Sequence, residues 1–254
     1  MKETRKKVIF AGAGPGAPDL ITIRCSKALE NADIILYAGS LVNPEVLKYA
    51  DNSCELIDSA GLNLEEITAT LKRGVEAGKN VVRLHTGDPS IYGAITEQMN
   101  ELDKIGIEYE VIPGVSSLFA SAAALKTELT LPGISQSIII TRRAGRTPVP
   151  DGQNIADFAK HNATMGIFLS IADIEGLVAE LISGGYTPET AVAVIYRVSW
   201  ENEKILRGTL KDIAEKVRTS QITRQAMIIV GNAISKQGDK SLLYDATFAH
   251  GFRQ

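Results

Sequence analysis

Apolar residues along this chain alternate between two spacings. Short continuous runs, "KVIFAGAG", "DIILYAG", "NVVRL" and "EYEVIPG", have the length and β-branched content of buried strands. Between them, "TIRCSKALENA" places Cys25, Ala28 and Leu29 on one side of a helix. A second helix is predicted around "NPEVLKYA", with Pro44 suited to its first turn. "LNLEEITATLKRGVEAG" carries Leu64, Ile67, Leu71 and Val75 at helical spacing and stops at Gly78, and "GAITEQMNELDKIG" repeats the pattern. From about residue 113 the pattern changes to "PGVSSLFASAAA", a turn followed by small residues.

A second set of elements then begins. "SQSIIITR", "ATMGIFLSI", "AVAVIYRVS" and "QAMIIVGNA" read as strands, and "NIADFAKH", "ADIEGLVAELISGG" and "LKDIAEKVRTS" as helices. Strands alternating with helices predict two α/β domains with mostly parallel or mixed sheets. The boundaries expected are 1–115 and 130–254, joined by a linker of about 116–129.

Composition narrows the class. The chain has 254 residues, 44% of them hydrophobic, enough for a substantial core. Its 27 basic and 30 acidic residues are interspersed and sum to a net charge of -3, which gives no basic face for nucleic acid. Cys25 and Cys54 form no C-x-x-C pair and have no nearby His, so they read as ordinary thiols and no metal site is expected. The apolar run in "MKETRKKVIFAGAG" ends too early for a signal peptide, and nothing approaches the ~18 apolar residues of a membrane span. A cytoplasmic protein is expected.

Two glycine-bearing turns hold the candidate chemistry. "GAGPGA", Gly12 to Ala17, formally matches a dinucleotide-binding fingerprint, but Pro15 and Pro18 interrupt the helix that should follow. The acidic residue that should end the second strand is also missing, because "IILYAG" ends in Tyr-Ala-Gly. The segment therefore reads as a rigid bend against a ligand or a domain partner. "HTGDPSIYG", 85–93, puts His, Thr, Asp, Ser and Tyr between a buried strand and a helix, more polar chemistry than a turn requires.

"GAGPGAPDLIT", "HTGDPSIYG", "VIPGVSS", "TRRAGRTPVP" and "LYDATFAHGFR" together resemble the tetrapyrrole methyltransferases of corrin biosynthesis, over essentially the whole chain. "GAGPG" and "GDP" are common to the superfamily. "TRRAGRTPVP" and the ending resemble the branch that methylates C11 of precorrin-4 or cobalt-precorrin-4, though this chain reads "FAHGFR". The resemblance implies a homodimeric enzyme using S-adenosylmethionine (SAM) and releasing S-adenosylhomocysteine, with the cofactor in a cleft between two α/β domains. It implies cofactor contacts at Gly87, Asp88, Pro89, Ser116, Ser117, Leu169, Tyr196, Arg197 and Ala226, with Gln225 beside them. Gly14, Pro15 and Gly16 would border the tetrapyrrole, and Tyr92 would line its site. Arg142, Arg143 and Arg146 are expected to bind its carboxylates, as guanidinium groups do.

Methyl transfer from a sulfonium to carbon is an in-line displacement whose leaving group is a neutral thioether, so no acid is needed to protonate it. The protein's task is to hold the reacting atoms at ~3–3.5 Å. A sequence without a Ser-His-Asp order, a carboxylate pair or a metal cluster suits that class. If a base removes a proton, His85 is the candidate, while Asp88 either orients the cofactor or caps the next helix. Methylation at another corrin position, and SAM binding without turnover, are the competing readings.

Overall fold

The structure, a computed structural model, describes residues 6–235 together with Ser241, Phe248 and Gly251. Most of the "LYDATFAHGFR" motif lies outside the described residues. The chain divides into two compact units, one running to Ala120 and including Ser199–Glu201, the other comprising Ser121–Val198 and the chain from Asn202.

In the first unit the strands are β1 (Val8–Gly12), β2 (Ile34–Tyr37), β3 (Glu55–Asp58), β4 (Val81–His85) and β5 (Tyr109–Ile112). They form one sheet in the order β3-β2-β4-β1-β5 with every pairing parallel. The helices are α1 (Ile23–Glu30), α2 (Leu64–Glu76) and α3 (Ile95–Lys104), while α4 (Ser117–Leu125) begins in this unit and continues past its end at Ala120. Alternate strand residues point to opposite faces, so the continuous apolar runs are buried twice over. Ala11, Ile35, Val82 and Leu84 meet Cys25 and Leu29 of α1. Val8, Phe10, Leu36 and Val81 meet Ile67 and Leu71 of α2 and Leu102 of α3. Burial pushes the Cys25 thiol up to about 12, which makes it an inert core group.

Local signals start and stop these helices. Thr22 Oγ1 accepts from the Cys25 amide at the start of α1. Asn63 and Glu66 exchange bonds of 3.0 and 2.8 Å in a reciprocal capping box on α2, and Gly78 follows its end with φ +72°. The expected helix at "NPEVLKYA" is a 3-10 turn, Pro44–Tyr49, capped by Asn43. Helix α3 departs from the rule: its N-cap is Ala94, left-handed at φ 50°, with no side-chain cap.

Residues 117–125 of the expected linker are helical, as α4, and the division between the two units falls within it at Ala120. Ala is the best helix former, and Leu118, Ser121 and Leu125 are fully buried. The small residues at 117–125 therefore form a packed helix.

The second unit contains β6 (Ile138–Arg142), α5 (Ile155–Ala159), β7 (Thr164–Phe168), α6 (Ile174–Gly184), β8 (Ala191–Tyr196), β9 (Lys204–Thr209), α7 (Ile213–Thr219) and β10 (Ala226–Val230). Its sheet runs β6-β7-β10-β8-β9. Here a mostly parallel sheet gives way to a mixed one. Only β6 and β7 are parallel, while β10 lies antiparallel between β7 and β8, and β9 returns antiparallel along β8. No helix separates β8 from β9, so nothing carries the chain back for a parallel crossover. Ile155, Leu177, Leu181, Ile213 and Val217 cover this sheet's core together with Val194, Ile228 and Val230.

Among the described residues no helix is long and apolar enough to cross a membrane. No cluster of His, Cys, Asp and Glu among them has the geometry to hold a metal ion.

Candidate cofactor site

In the first unit the chain leaves β1 through α1 on one face and leaves β4 through α3 on the other. In open α/β sheets such a divergence opens the crevice where ligands bind, beyond the carboxyl ends of the strands. Three turns meet there, backbone against backbone. Gly14 and Gly87 bridge each other, with N–H···O distances of 3.3 and 2.8 Å, and the Ala13 amide donates to His85 O at 2.7 Å. A Cβ on Gly12 would lie 2.5 Å from Gly87 O, and one on Gly114 would lie 2.0 Å from the same oxygen. The glycines of "GAGPG" and "VIPG" thus serve loop-to-loop contact within one sheet edge.

Asp88 locks this contact. Its Oδ2 accepts from the Gly114 amide at 2.9 Å, and its Oδ1 accepts from the Ser90 amide at 2.9 Å and from the Ser90 hydroxyl. Partial burial works to raise its pKa, but these bonds outweigh it and hold the carboxyl below its usual range. Gly87 has φ +61°, and a Cβ there would touch the Ser116 Cα and the Ser117 amide nitrogen at 3.8 Å. Ser116 is buried and its Oγ accepts from the Leu118 amide at 3.3 Å. Gly14, Gly87, Asp88, Ser116 and Ser117 are therefore brought together. Beyond Pro89 the loop is strained: Tyr92 and Ala94 are left-handed, and a Cβ on Gly93 would lie 2.2 Å from Pro89 O.

His85 sits differently from a general base. Its ring is buried 6.1 Å from the Phe10 ring, and among the described residues Nε2 has no hydrogen-bond partner. Burial, aided by the charge of Arg83, lowers its pKa to about 3. The imidazole is neutral at physiological pH and too weak a base to match a task near pH 7. The folded value lies below the ordinary 6.5, so above pH 6.5 neither state binds the proton and the stabilisation is complete. As pH falls towards 3, the unfolded chain takes up a proton that the folded chain refuses. Wild-type protein is expected to lose up to about 1.4 kcal/mol per pH unit more than His85→Gln across that window. Urea unfolding from pH 8 to pH 4 checks this; equal slopes would show that His85 titrates normally.

In the second unit, β6, β7 and β8 run the same way and β10 runs opposite. The ends of the first three and the start of β10 consequently share one edge, where Leu169, Tyr196, Arg197, Gln225 and Ala226 lie. Ala226 pairs with Tyr196 in the sheet register. The Arg197 amide donates to Gln225 O at 2.9 Å and its Nε to Gln225 Oε1 at 2.7 Å, with the guanidinium 5.3 Å from the Tyr196 ring centre. Leu169, Arg197 and Gln225 are all left-handed. Lys126, Asn162 and Gln221, by contrast, adopt that conformation in the turns that end α4, α5 and α7. Each non-glycine residue held there costs about 1 kcal/mol or more, strain that collects where ligands bind. Leu169 is also 68% exposed, an apolar side chain offered to solvent from a strained backbone.

The three arginines separate. Arg142 is spent on its own loop, donating to Thr147 O at 3.2 Å and Pro148 O at 2.8 Å. Arg143 ion-pairs with Glu180 at 2.7 Å and Asp173 at 2.5 Å. Although burial acts to lower its pKa, these two carboxylates raise it. A substrate carboxylate would have to displace them. Arg146 is exposed and has no hydrogen bond or ion pair among the described residues.

Sequence reasoning missed two features. Ser199 Oγ accepts from the Ala17 amide at 2.9 Å, and Trp200 Nε1 donates to Pro15 O at 3.2 Å, across more than 180 residues. The lone tryptophan was the available signal. Arg83 was the other omission, signalled by a charge inside the buried run "VVRLH".

The fold matches those of solved methyltransferase structures. The chain belongs to the Tetrapyrrole (Corrin/Porphyrin) Methylases, which it matches over residues 7–214. It is 56% identical over 253 residues to the cobalt-precorrin-4 C(11)-methyltransferase of Methanocaldococcus jannaschii, covering 99% of this chain and 98% of that protein. Among solved structures it resembles a cobalt precorrin-4 methyltransferase described as a cobalamin biosynthetic enzyme. The TM-score is 0.88 and the identity 45%, over 90% of this chain and 95% of that one. It also resembles a uroporphyrin-III C-methyl transferase of Thermus thermophilus complexed with S-adenosyl homocysteine. There the TM-score is 0.77 and the identity 28%, over 94% and 98% of the two chains.

Proposed function

We propose that this protein transfers a methyl group from SAM to C11 of cobalt-precorrin-4, in the cytoplasm and as a homodimer. The observation that carries the reading is 56% identity over almost the full chain to a protein named for that reaction. The S-adenosyl homocysteine in a relative's crystal supports SAM as the donor.

The residues present suit such a cofactor. Gly87 turns left-handed against the backbone of Ser116 and Ser117, and Leu169 offers an apolar surface to a planar ring. SAM supplies an activated methyl group on a sulfonium, and the rest of the work is positioning. In the first unit Gly87, Asp88, Pro89, Ser116 and Ser117 hold the cofactor, with Asp88 acting through the loop it locks. In the second unit Leu169, Tyr196, Arg197 and Ala226 contact it. Gly14, Pro15, Gly16 and Tyr92 border the tetrapyrrole. Arg146 reads a substrate carboxylate, Arg142 shapes the loop that presents Arg146, and Arg143 anchors that loop to Asp173 and Glu180. A neutral His85 and an ionised Asp88 accord with chemistry that needs no general acid.

The test is incubation with methyl-labelled SAM and enzymatically prepared cobalt-precorrin-4, with precorrin-4 in parallel. One labelled methyl at C11 of the cobalt form is expected. Faster labelling of precorrin-4 would reassign the substrate, and labelling elsewhere on the ring would reassign the position. Sedimentation equilibrium tests the dimer.

A further inference from the structure

Arg83 occupies the middle of β4 on the same face as Val81, yet only 5% of it is exposed. Among the described residues no carboxylate partners it. Its Nη1 donates to Leu36 O at 3.2 Å and to Ser59 Oγ at 2.9 Å, and its Nε donates to Gln98 Oε1 at 3.0 Å. Burial lowers its pKa only to about 10, so it remains a cation at neutral pH. A buried charge is costly, and an apolar side chain of similar volume commonly serves stability as well or better. The contacts point to what the charge does.

Each acceptor leads to a turn at the carboxyl edge of the sheet. Leu36 lies near the end of β2. Ser59 follows β3, and its hydroxyl and amide both donate to Tyr37 O, at 3.0 and 2.9 Å. Gln98, also buried, donates from Nε2 to Ala94 O at 3.2 Å. Ala94 is the left-handed, side-chain-uncapped N-cap of α3 and the last residue of the loop that carries Gly87 and Asp88.

The chemistry of the two side chains makes this a directed relay. Nε of arginine only donates, so Gln98 must turn its oxygen to Arg83 and its NH2 to Ala94 O. Without the guanidinium, either amide orientation is open to Gln98, and the flipped one sets oxygen against oxygen at Ala94. We propose that Arg83 is a positioning residue: through Gln98 it holds the strained Tyr92–Ala94 turn, and with it the Gly87–Asp88 loop, in the shape that receives the cofactor. This rests on the reading of that loop as a cofactor loop.

Gln98→Glu tests the relay without emptying the core. Glutamate still accepts from Arg83, now as an ion pair, but has no donor for Ala94 O. Thermal unfolding, amide hydrogen exchange of the free protein and calorimetric SAM titration are compared for wild type, Gln98→Glu, Arg83→Lys and Arg83→Met. The expected result for Gln98→Glu is a near wild-type Tm, faster exchange confined to residues 86–95 and SAM binding weakened at least tenfold. Arg83→Lys, which donates but lacks the rigid fork, should fall between wild type and Arg83→Met. Unchanged exchange at residues 86–95 in Gln98→Glu would overturn the relay. Faster exchange there with unchanged SAM affinity would uphold the relay and overturn the cofactor reading of the loop.

Discussion

Gly114→Ala is expected to abolish methyl transfer and to destabilise the first unit by about 3 kcal/mol or more. Its Cβ would lie 2.0 Å from Gly87 O and 2.8 Å from the Gly12 Cα. Both neighbours are backbone, so no side-chain rotation relieves the overlap and the turns after β1, β4 and β5 must separate. Overpacking a core usually costs about 1–3 kcal/mol, and here it also breaks the bond from the Gly114 amide to Asp88. Displacing a positioned group by about 1 Å is enough to lose roughly a hundredfold in rate. The control is Gly61→Ala, because a Cβ on Gly61 meets nothing within 4 Å. It should change stability by no more than about 0.5 kcal/mol. Urea unfolding and SAM titration of both variants check this; a Gly114→Ala protein as stable and active as the control would show that the three turns do not interlock.

Asp88→Asn should lower kcat/KM roughly 10- to 100-fold while costing only about 1 kcal/mol of stability. The carboxylate accepts on both oxygens, from the Gly114 amide on one and from the Ser90 amide on the other. An amide side chain has one oxygen, so whichever way it turns, its NH2 faces a backbone N–H. One of the two turns must give way. The half-exposed setting limits the stability loss, since water reaches the orphaned donor. The folded carboxyl titrates below its ordinary 3.8, so its contribution is complete above that value and fades as pH falls through the folded one. Wild type should therefore lose its stability advantage over Asp88→Asn on acidification. Steady-state kinetics against SAM, with urea unfolding at pH 7 and pH 3, provide the check. Unchanged kinetics would place Asp88 outside the working site.

The elements that sequence reasoning missed share a physical cause. Strands β3 and β9 are both edge strands, half-exposed along their length, and carry Glu55, Asp58, Lys204 and Arg207. The other two edge strands, β5 and β6, keep runs of apolar residues that reveal them, whereas the charges on β3 and β9 leave too few apolar positions for a run or an alternation to stand out. Missing β9 also hid the hairpin with β8 that makes the second sheet mixed. Helix α4 was obscured by its small residues, which carry little periodic contrast although Ala favours helix strongly.

The sequence by itself determined the alternation of strands and helices, the two-part α/β organisation, the turns where glycine is required and the family. Those signals are local, set by which residues two, three or four positions apart share a face. Only the tertiary structure decided which polar groups remain available for chemistry. It paired Arg143 with Glu180, 37 residues away, and left Arg146 exposed. It buried His85 beside Phe10, which keeps the ring neutral, and it brought Asp88 to Gly114 across 26 residues. The physical reason is that charge, basicity and hydrogen-bonding capacity depend on neighbours selected by long-range packing, and no window of sequence contains those neighbours.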